Sequence, residues 1–92
     1  MRIDKYLKVS RIIKRRTVAN EACAGGRVRI NGKTAKPSSD ISVGDRISIQ
    51  FGEHIGSYEV LSVRENVTKE QASEMYRILE EDAVLLEERN KT

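Results

Sequence analysis

Six basic residues near the start of this 92-residue chain are of the type and spacing that bind phosphate. They are Arg2, Lys8, Arg11, Lys14, Arg15 and Arg16. A cluster of this kind binds nucleic acid strongly without reading bases, because each neutralised phosphate releases condensed counterions. Three of the six immediately precede a predicted helix, whose N-terminal dipole and free amide groups also attract phosphate. The cluster therefore predicts a nucleic-acid-binding surface in preference to a merely solvated charged face.

Other kinds of chemistry have little support in the sequence. Catalysis needs a nucleophile, a base and a charge stabiliser that converge, and the chain has one histidine, His54, one cysteine, Cys23, and no glycine-rich phosphate loop. We expect His54 in an exposed loop between strands and Cys23 at a core-facing helical position. This residue set excludes an internal disulfide and a Cys/His zinc site. We expect no enzyme activity, no metal or cofactor, and no small-molecule substrate.

The charge of the chain is strongly polarised. Residues 1–50 contain twelve Lys or Arg and four acidic residues, a balance of +8, whereas residues 51–92 contain five basic and ten acidic residues, a balance of −5. Such asymmetry indicates a polyanionic partner for the basic half. No stretch approaches the ~20 apolar residues of a membrane span, and no signal peptide is evident. We therefore expect a cytoplasmic protein with no membrane contact.

Hydrophobic spacing predicts two short helices in the basic half. Residues 3–12 have the pattern of an amphipathic helix. Thr17 is a candidate N-cap for a second helix, in which we expect Val18 and Cys23 to face the core and which Gly25 ends. The cationic run at 14–16 lies between the two helices.

A small antiparallel sheet is predicted next. The Asn31-Gly32 dipeptide favours a two-residue hairpin, because both positions tolerate positive φ angles. Alternation in the strand before it directs Val28 and Ile30 inward and Arg27 and Arg29 to the other face. Further strands are predicted at 46–51, with Phe51 inward, and at about 57–64. The fold class is therefore α+β.

The acidic half is predicted to end in a helix. Thr68 and Gln71 have the spacing of a capping box, and apolar residues continue at helical steps from about 69 to 87. Its outer face is acidic through Glu80, Glu81, Asp82, Glu87 and Glu88. Negative charge disfavours contact with phosphate. We expect an RNA-binding domain over residues 1–66 and an acidic C-terminal helix within 67–92, packed on or extending from it.

Aromatic residues that could stack on bases are scarce. Tyr6, Phe51, Tyr58 and Tyr76 all fall at positions expected in the core. That disfavours single-strand recognition by stacking and favours folded RNA, recognised through shape, 2′-hydroxyls and phosphates. Charge alone does not separate RNA from DNA.

Several motifs resemble the RNA-binding domain first recognised in small-subunit ribosomal protein S-four. They are Arg2-Ile3-Asp4-Lys5-Tyr6-Leu7, Lys14-Arg15-Arg16-Thr17, Gly26-Arg27-Val28, Ile30-Asn31-Gly32, Lys36-Pro37-Ser38 and Val43-Gly44-Asp45-Arg46-Ile47. The resemblance runs from residue 2 to about 51 and implies the alpha-L fold, two short helices packed on a small antiparallel sheet. It also implies that the helical pair and the neighbouring hairpin hold RNA. The six clustered residues become the principal candidates, with Arg27, Arg29 and Lys36 secondary, and we expect Arg2 and Arg16 to face solvent.

A longer match resembles the RqcP family of ribosome-associated quality-control proteins. It rests on residues 8–17, residues 30–40, the Phe51-Gly52 pair and residues 75–79. This resemblance implies binding to rRNA on large ribosomal subunits that still carry peptidyl-tRNA. It further implies support of alanine tailing of the stalled chain with an RqcH-type tailing factor.

Two other functions stay open at this stage. One is a large-subunit assembly or recycling factor of the ribosome-associated heat-shock type, although those relatives carry a basic C-terminal extension and this chain ends in an acidic segment. The other is a protein-interaction adaptor that uses the acidic C-terminal helix.

Overall fold

The computed structural model describes residues 1–79, which are organised by an antiparallel sheet. The helices are α1 (Ile3–Val9), α2 (Arg16–Ala24) and α3 (Lys69–Ala72), and the strands are β1 (Val28–Ile30), β2 (Lys33–Thr34), β3 (Arg46–Phe51), β4 (His54–Val60) and β5 (Tyr76–Ile78). These five strands lie in the order β2-β1-β3-β4-β5. None of these helices has the length and apolar character to cross a bilayer. The predicted α+β class and antiparallel sheet are confirmed.

One face of the sheet packs on the helical pair. Val28, Ile47 and Ile49 alternate with polar residues along β1 and β3 and are buried in one cluster with Ile3 and Leu7 of α1. Because successive side chains of a strand point to opposite faces, the residues between them lie on the other face of the sheet. The fold therefore presents a helical side and an open sheet side.

The predicted hairpin between β1 and β2 is confirmed. Asn31 and Gly32 have φ angles of 51° and 84°, the positive values that a type I′ turn requires. The Asn31 side chain also accepts a hydrogen bond from the Arg46 backbone N–H at 2.9 Å and donates one to Asp45 at 3.1 Å. The turn is thus joined to β3.

Several details of the helical pair differ from the predictions. Helix α1 ends at Val9, and α2 begins at Arg16, so Thr17 lies inside the helix and is not its N-cap. Cys23 is buried as predicted, but Val18 is 44% exposed because the face of α2 that packs inward carries Ala19, Ala22 and Cys23.

The β3–β4 hairpin is longer and its tip is more exposed than predicted. His54 is the first residue of β4 and pairs with Phe51, so its predicted place in a loop is wrong. Phe51 is 43% exposed and not buried, because it lies at the tip of the hairpin as the last residue of β3. Strand β4 ends at Val60, before the predicted limit of 64.

The segment after Thr68 is the largest departure from the predicted structure. The capping box of Thr68 and Gln71 is present, but the helix is a single turn and the chain then forms β5. Tyr76 pairs with Val60, and its ring packs edge-on against Tyr58 with centroids 5.5 Å apart. Pairing with β4 satisfies the backbone and overrides the helical pattern. The predicted helix is therefore wrong over residues 73–79; its acidic part, from residue 80, lies outside the described residues. The division at residue 66 stays a prediction.

A buried hydrogen bond joins this segment to the helical pair. The Tyr6 hydroxyl donates to the Met75 carbonyl at 2.6 Å, and the same oxygen accepts from the N–H groups of Leu61 at 2.8 Å and Ser62 at 3.2 Å. Burial, with a smaller contribution from Tyr76, raises the pKa of Tyr6, which keeps the phenol protonated as a donor. One carbonyl thus connects α1, the end of β4 and the approach to β5.

We expect Tyr6→Phe to lower the free energy of unfolding by about 1 kcal/mol, the net contribution of one buried hydrogen bond. For a domain of this size that corresponds to a fall in Tm of roughly 4–8 °C, measurable by circular dichroism. Tyr76→Phe, which keeps the edge-on contact of the ring with Tyr58, is the matched control and should change Tm less. A Tyr6→Phe variant as stable as the parent would contradict this role.

Candidate nucleic-acid interface

All nine predicted RNA-binding residues are exposed, and the structure distributes eight of them over three surfaces. Arg2, the N-cap residue of α1, and Arg16, the first residue of α2, form the arginine pair. Lys8, Arg11 and Lys14 line what we name the α1 groove. Arg27 and Arg29 line the sheet cleft, and Lys36 lies apart in the loop after β2. Arg15, the N-cap residue of α2, directly precedes Arg16 and extends the arginine pair.

A buried carboxylate organises the arginine pair. Asp4 is 1% exposed, and Arg2 and Arg16 approach its two oxygens at 3.2 and 3.8 Å. The same carboxylate accepts hydrogen bonds from the Lys5 backbone N–H at 2.8 Å and the Asn20 amide at 3.4 Å. Taking a carboxylate out of water costs several kcal/mol unless such partners compensate it. Asp4 therefore links α1 to α2 and holds both guanidinium groups.

The expectation that Arg2 and Arg16 simply face solvent is therefore only half right. Each side chain remains 50% exposed and directs its buried part to Asp4. The sequence analysis did not single out Asp4. A signal for it was present, because an acidic residue next to the core position Ile3 and among basic residues needs cationic partners if it is buried.

The backbone around Arg2 is also fixed. Arg2 forms an antiparallel bridge with Asp40, the Ile3 N–H donates to the Ser39 carbonyl at 2.7 Å, and the Ile41 N–H donates to the Met1 carbonyl at 2.9 Å. Ser39, Asp40 and Ile41 follow Lys36 in the loop after β2. The candidate residue Lys36 therefore belongs to the segment that anchors the N-terminus.

The α1 groove is a polar depression of about 360 Å³. One wall is cationic, from Lys8, Arg11 and Lys14, and the other consists of residues 65–67. Arg11 has a φ angle of 63°, a left-handed conformation usually occupied by glycine after a helix. Phosphate fits the cationic wall by charge.

The sheet cleft lies on the open side of the fold. Arg29 pairs with Ser48 across β1 and β3, so the two side chains share a face, and Arg27, Gln50 and Ile55 complete a depression of about 250 Å³. The structure therefore separates Arg27 and Arg29 from the helical candidates. The alternation along the first hairpin predicts this placement of Arg27 and Arg29, and the structure confirms it.

Cys23 lies on the inner face of α2. Burial, with a smaller contribution from the Asp4 carboxylate, raises the pKa of its thiol to about 11. The thiol thus stays protonated near neutral pH and packs as a small apolar side chain. Within residues 1–79 no cluster of His, Cys, Asp and Glu side chains is arranged to hold a metal ion.

Comparisons with known proteins agree with this architecture. Residues 1–47 match the S4 domain. The chain is 54% identical over 82 residues to the RQC P-site tRNA stabilizing factor of Listeria innocua, covering 89% of each protein. It is 48% identical over 82 residues to the protein of that name from Bacillus subtilis, covering 89% of this chain and 95% of that one.

A solved structure shares the fold. The structure of Heat Shock Protein 15 from Vibrio cholerae superimposes with a TM-score of 0.84 at 28% sequence identity, covering 98% of this chain and 91% of that one. The match to the S4 domain ends within β3, whereas the structural likeness continues beyond it. The strands and loops that follow are therefore part of a shared architecture.

The raised pKa of Cys23 predicts a pH dependence of stability. As pH rises, the unfolded thiol ionises from about 9 and the folded thiol only from about 11, so stability present below pH 9 is lost across this interval. Relative to Cys23→Ala, the parent should lose on the order of 2 kcal/mol of unfolding free energy between pH 8.5 and 11. Urea denaturation at a series of pH values measures both, and parallel curves would refute the assignment.

Proposed function

The chain belongs to the S4 domain family and, within it, to the RQC P-site tRNA stabilizing factors, and we propose that it holds tRNA on obstructed large ribosomal subunits. In this proposal it contacts the phosphates of rRNA and tRNA together, as a two-sided RNA clamp. It acts by binding alone, with no bond made or broken, and in the cytoplasm, where ribosomes are found.

The arginine pair carries the proposal. A guanidinium group can donate two parallel hydrogen bonds to one phosphate, a geometry that lysine lacks. Asp4 contacts both guanidinium groups on their buried side and so restricts their motion, while half of each side chain stays exposed. Less conformational entropy is then lost on binding, since the donors are already ordered. The pair is built to receive phosphate oxygens.

The distribution of the basic surfaces supports contact with two RNA segments. The arginine pair and the α1 groove are formed by the helical side, whereas Arg27 and Arg29 belong to the open sheet side. Each face can therefore contact a different RNA segment. We assign one face to rRNA and the other to tRNA.

The finer parts of the proposal go beyond what the relatives' name says. That name specifies tRNA in the P site and ribosome quality control, which supports the proposal that this chain binds peptidyl-tRNA on a large subunit with a stalled product. The proposed partner is an RqcH-type tailing factor, and the proposed outcome is support of alanine tailing.

Structural likeness to Heat Shock Protein 15 favours a second candidate, a large-subunit assembly or recycling factor. Sedimentation through a sucrose gradient separates the two. Migration with large subunits that carry tRNA supports the main proposal, migration with precursor particles supports the second, and absence from all ribosomal fractions supports an adaptor that uses the acidic C-terminal segment.

Binding to large subunits should depend on exposed cations. Lys14→Ala with Arg15→Ala removes two exposed charges next to the arginine pair, so we expect at least a tenfold loss of affinity, about 1.4 kcal/mol, with an unchanged Tm. In the parent, the logarithm of affinity should fall against the logarithm of salt concentration with a slope of roughly −3 or steeper.

The matched control is Lys33→Ala with Lys69→Ala, which removes the same charge from β2 and α3. Co-pelleting with purified large subunits at a series of salt concentrations measures all three proteins. A flat salt response, or equal losses in both double variants, would rule out a localised phosphate site.

Asp4→Asn separates the positioning of charge from its amount. The variant gains one positive charge, which alone would strengthen RNA binding, but it releases Arg2 and Arg16 from their anchor. We expect RNA affinity to fall about tenfold and the free energy of unfolding to fall by about 1–3 kcal/mol, since an amide has no charge and offers one acceptor oxygen where the carboxylate offers two.

Asp40→Asn is the charge-matched control, because Asp40 is 87% exposed and lies 4.0 Å from the terminal amine. It should bind RNA slightly more tightly than the parent. Both measurements are made below the Tm of the weaker variant. Tighter binding by Asp4→Asn would show that charge alone governs affinity.

A further inference from the structure

The α1 groove has features that phosphate binding alone does not explain. Its cationic wall comes from α1 and the loop after it, within the S4 domain match. Its second wall is residues 65–67, which lie beyond that match and include a carboxylate, Glu65, and an amide, Asn66. A volume of about 360 Å³ is of the order of one nucleotide. The groove thus brings oxygen acceptors and cations together in one depression.

An ion pair suppresses the repulsion that Glu65 would exert on phosphate. The Lys5 ammonium lies 3.1 Å from Oε1 of Glu65, so α1 holds the second wall of the groove and neutralises its charge. The other carboxylate oxygen can accept a hydrogen bond, and Asn66 can donate or accept one. Ribose offers one group with both capacities, the 2′-hydroxyl, which deoxyribose lacks.

The backbone conformation of Arg11 is an independent observation that concerns the same groove. Its φ angle of 63° is a conformation in which non-glycine residues cost about 1 kcal/mol or more. Glycine at this position would stabilise the end of α1. An arginine kept in a strained backbone position that lines a groove indicates that its side chain is needed there.

We propose that the α1 groove is a one-nucleotide subsite that selects RNA over DNA. Arg11, Lys8 and Lys14 bind the phosphate, and Glu65 with Asn66 binds the ribose 2′-hydroxyl. This inference rests on the proposed RNA-binding function and names the chemical class that one of its surfaces reads. It assigns the segment after the S4 domain match a specificity role.

Two variants, Glu65→Ala and Arg11→Gly, test the groove. For each, the subsite predicts a change in RNA affinity opposite to the one that net charge or fold stability alone would predict. Glu65→Ala removes a negative charge, so charge alone predicts tighter binding to RNA and DNA alike. The subsite predicts instead that affinity for RNA falls about 3- to 10-fold, the effect of one hydrogen bond, while affinity for DNA does not fall. Glu74→Ala, an exposed acidic residue outside the groove, is the charge-matched control and should leave the RNA-to-DNA ratio unchanged.

Arg11→Gly should raise Tm, by up to about 5 °C, because the strain is relieved. Its affinity for RNA should nevertheless fall at least about fivefold. Lys33→Ala, with the same loss of charge outside the groove, should bind RNA nearly as well as the parent. A variant that gains stability and loses binding cannot owe the loss to misfolding.

The probes are an RNA hairpin, a DNA hairpin of the same sequence and a fully 2′-O-methylated RNA, with fluorescence anisotropy at fixed salt as the readout. The inference is overturned if Glu65→Ala strengthens RNA and DNA binding equally, or if Arg11→Gly binds RNA as tightly as the parent. These outcomes are distinct from failure of the proposed function, which is absence of the parent from tRNA-bearing large subunits.

Discussion

The buried carboxylate of Asp4 is the interaction on which the helical side depends. A charge that is 1% exposed must be compensated within the protein, and its compensating groups come from both α1 and α2. The helical pair therefore has one arrangement in which Asp4, Arg2 and Arg16 are all satisfied. That arrangement directs the exposed halves of two guanidinium groups outward. Folding and the preorganisation of the proposed phosphate site are the same event.

The segment after the S4 domain match depends on a second buried polar group, the Met75 carbonyl. Its three donors come from Tyr6 in α1 and from the residues that follow β4. Through this oxygen the β4–β5 region packs against the helix that carries the cationic wall of the α1 groove. Lys5 and Glu65 repeat the connection at the surface. The buried carbonyl inside the fold and the ion pair at its surface together fix the position of one wall of the groove relative to the other.

Local chemistry determined which parts of this structure could be predicted. Asn31-Gly32 was predictable because its turn needs positive φ at both positions, and Ile47 and Ile49 because alternation fixes their face. The capping box at Thr68 was also a local signal, but Met75 and Leu79 are buried in a helical spacing that a strand accommodates equally well. Pairing with β4, a tertiary contact, decided between the two. The basic residues of the site were predictable as a set, and alternation also placed Arg27 and Arg29 on the outer face of the sheet, whereas the grouping of the helical candidates and the role of Asp4 required the fold.

Charge and placement contribute different things to recognition in this protein. A balance of +8 over residues 1–50 attracts any polyanion and gives no preference among RNA surfaces. The chain nevertheless has a negative charge at Asp4, beside two candidate phosphate ligands, and a strained backbone at Arg11, which is itself a candidate ligand. If affinity were the only requirement, an asparagine at the first position and a glycine at the second would serve better. Both residues make sense where the orientation of a guanidinium group matters more than the number of positive charges, which is the requirement for holding one RNA in a fixed position on another.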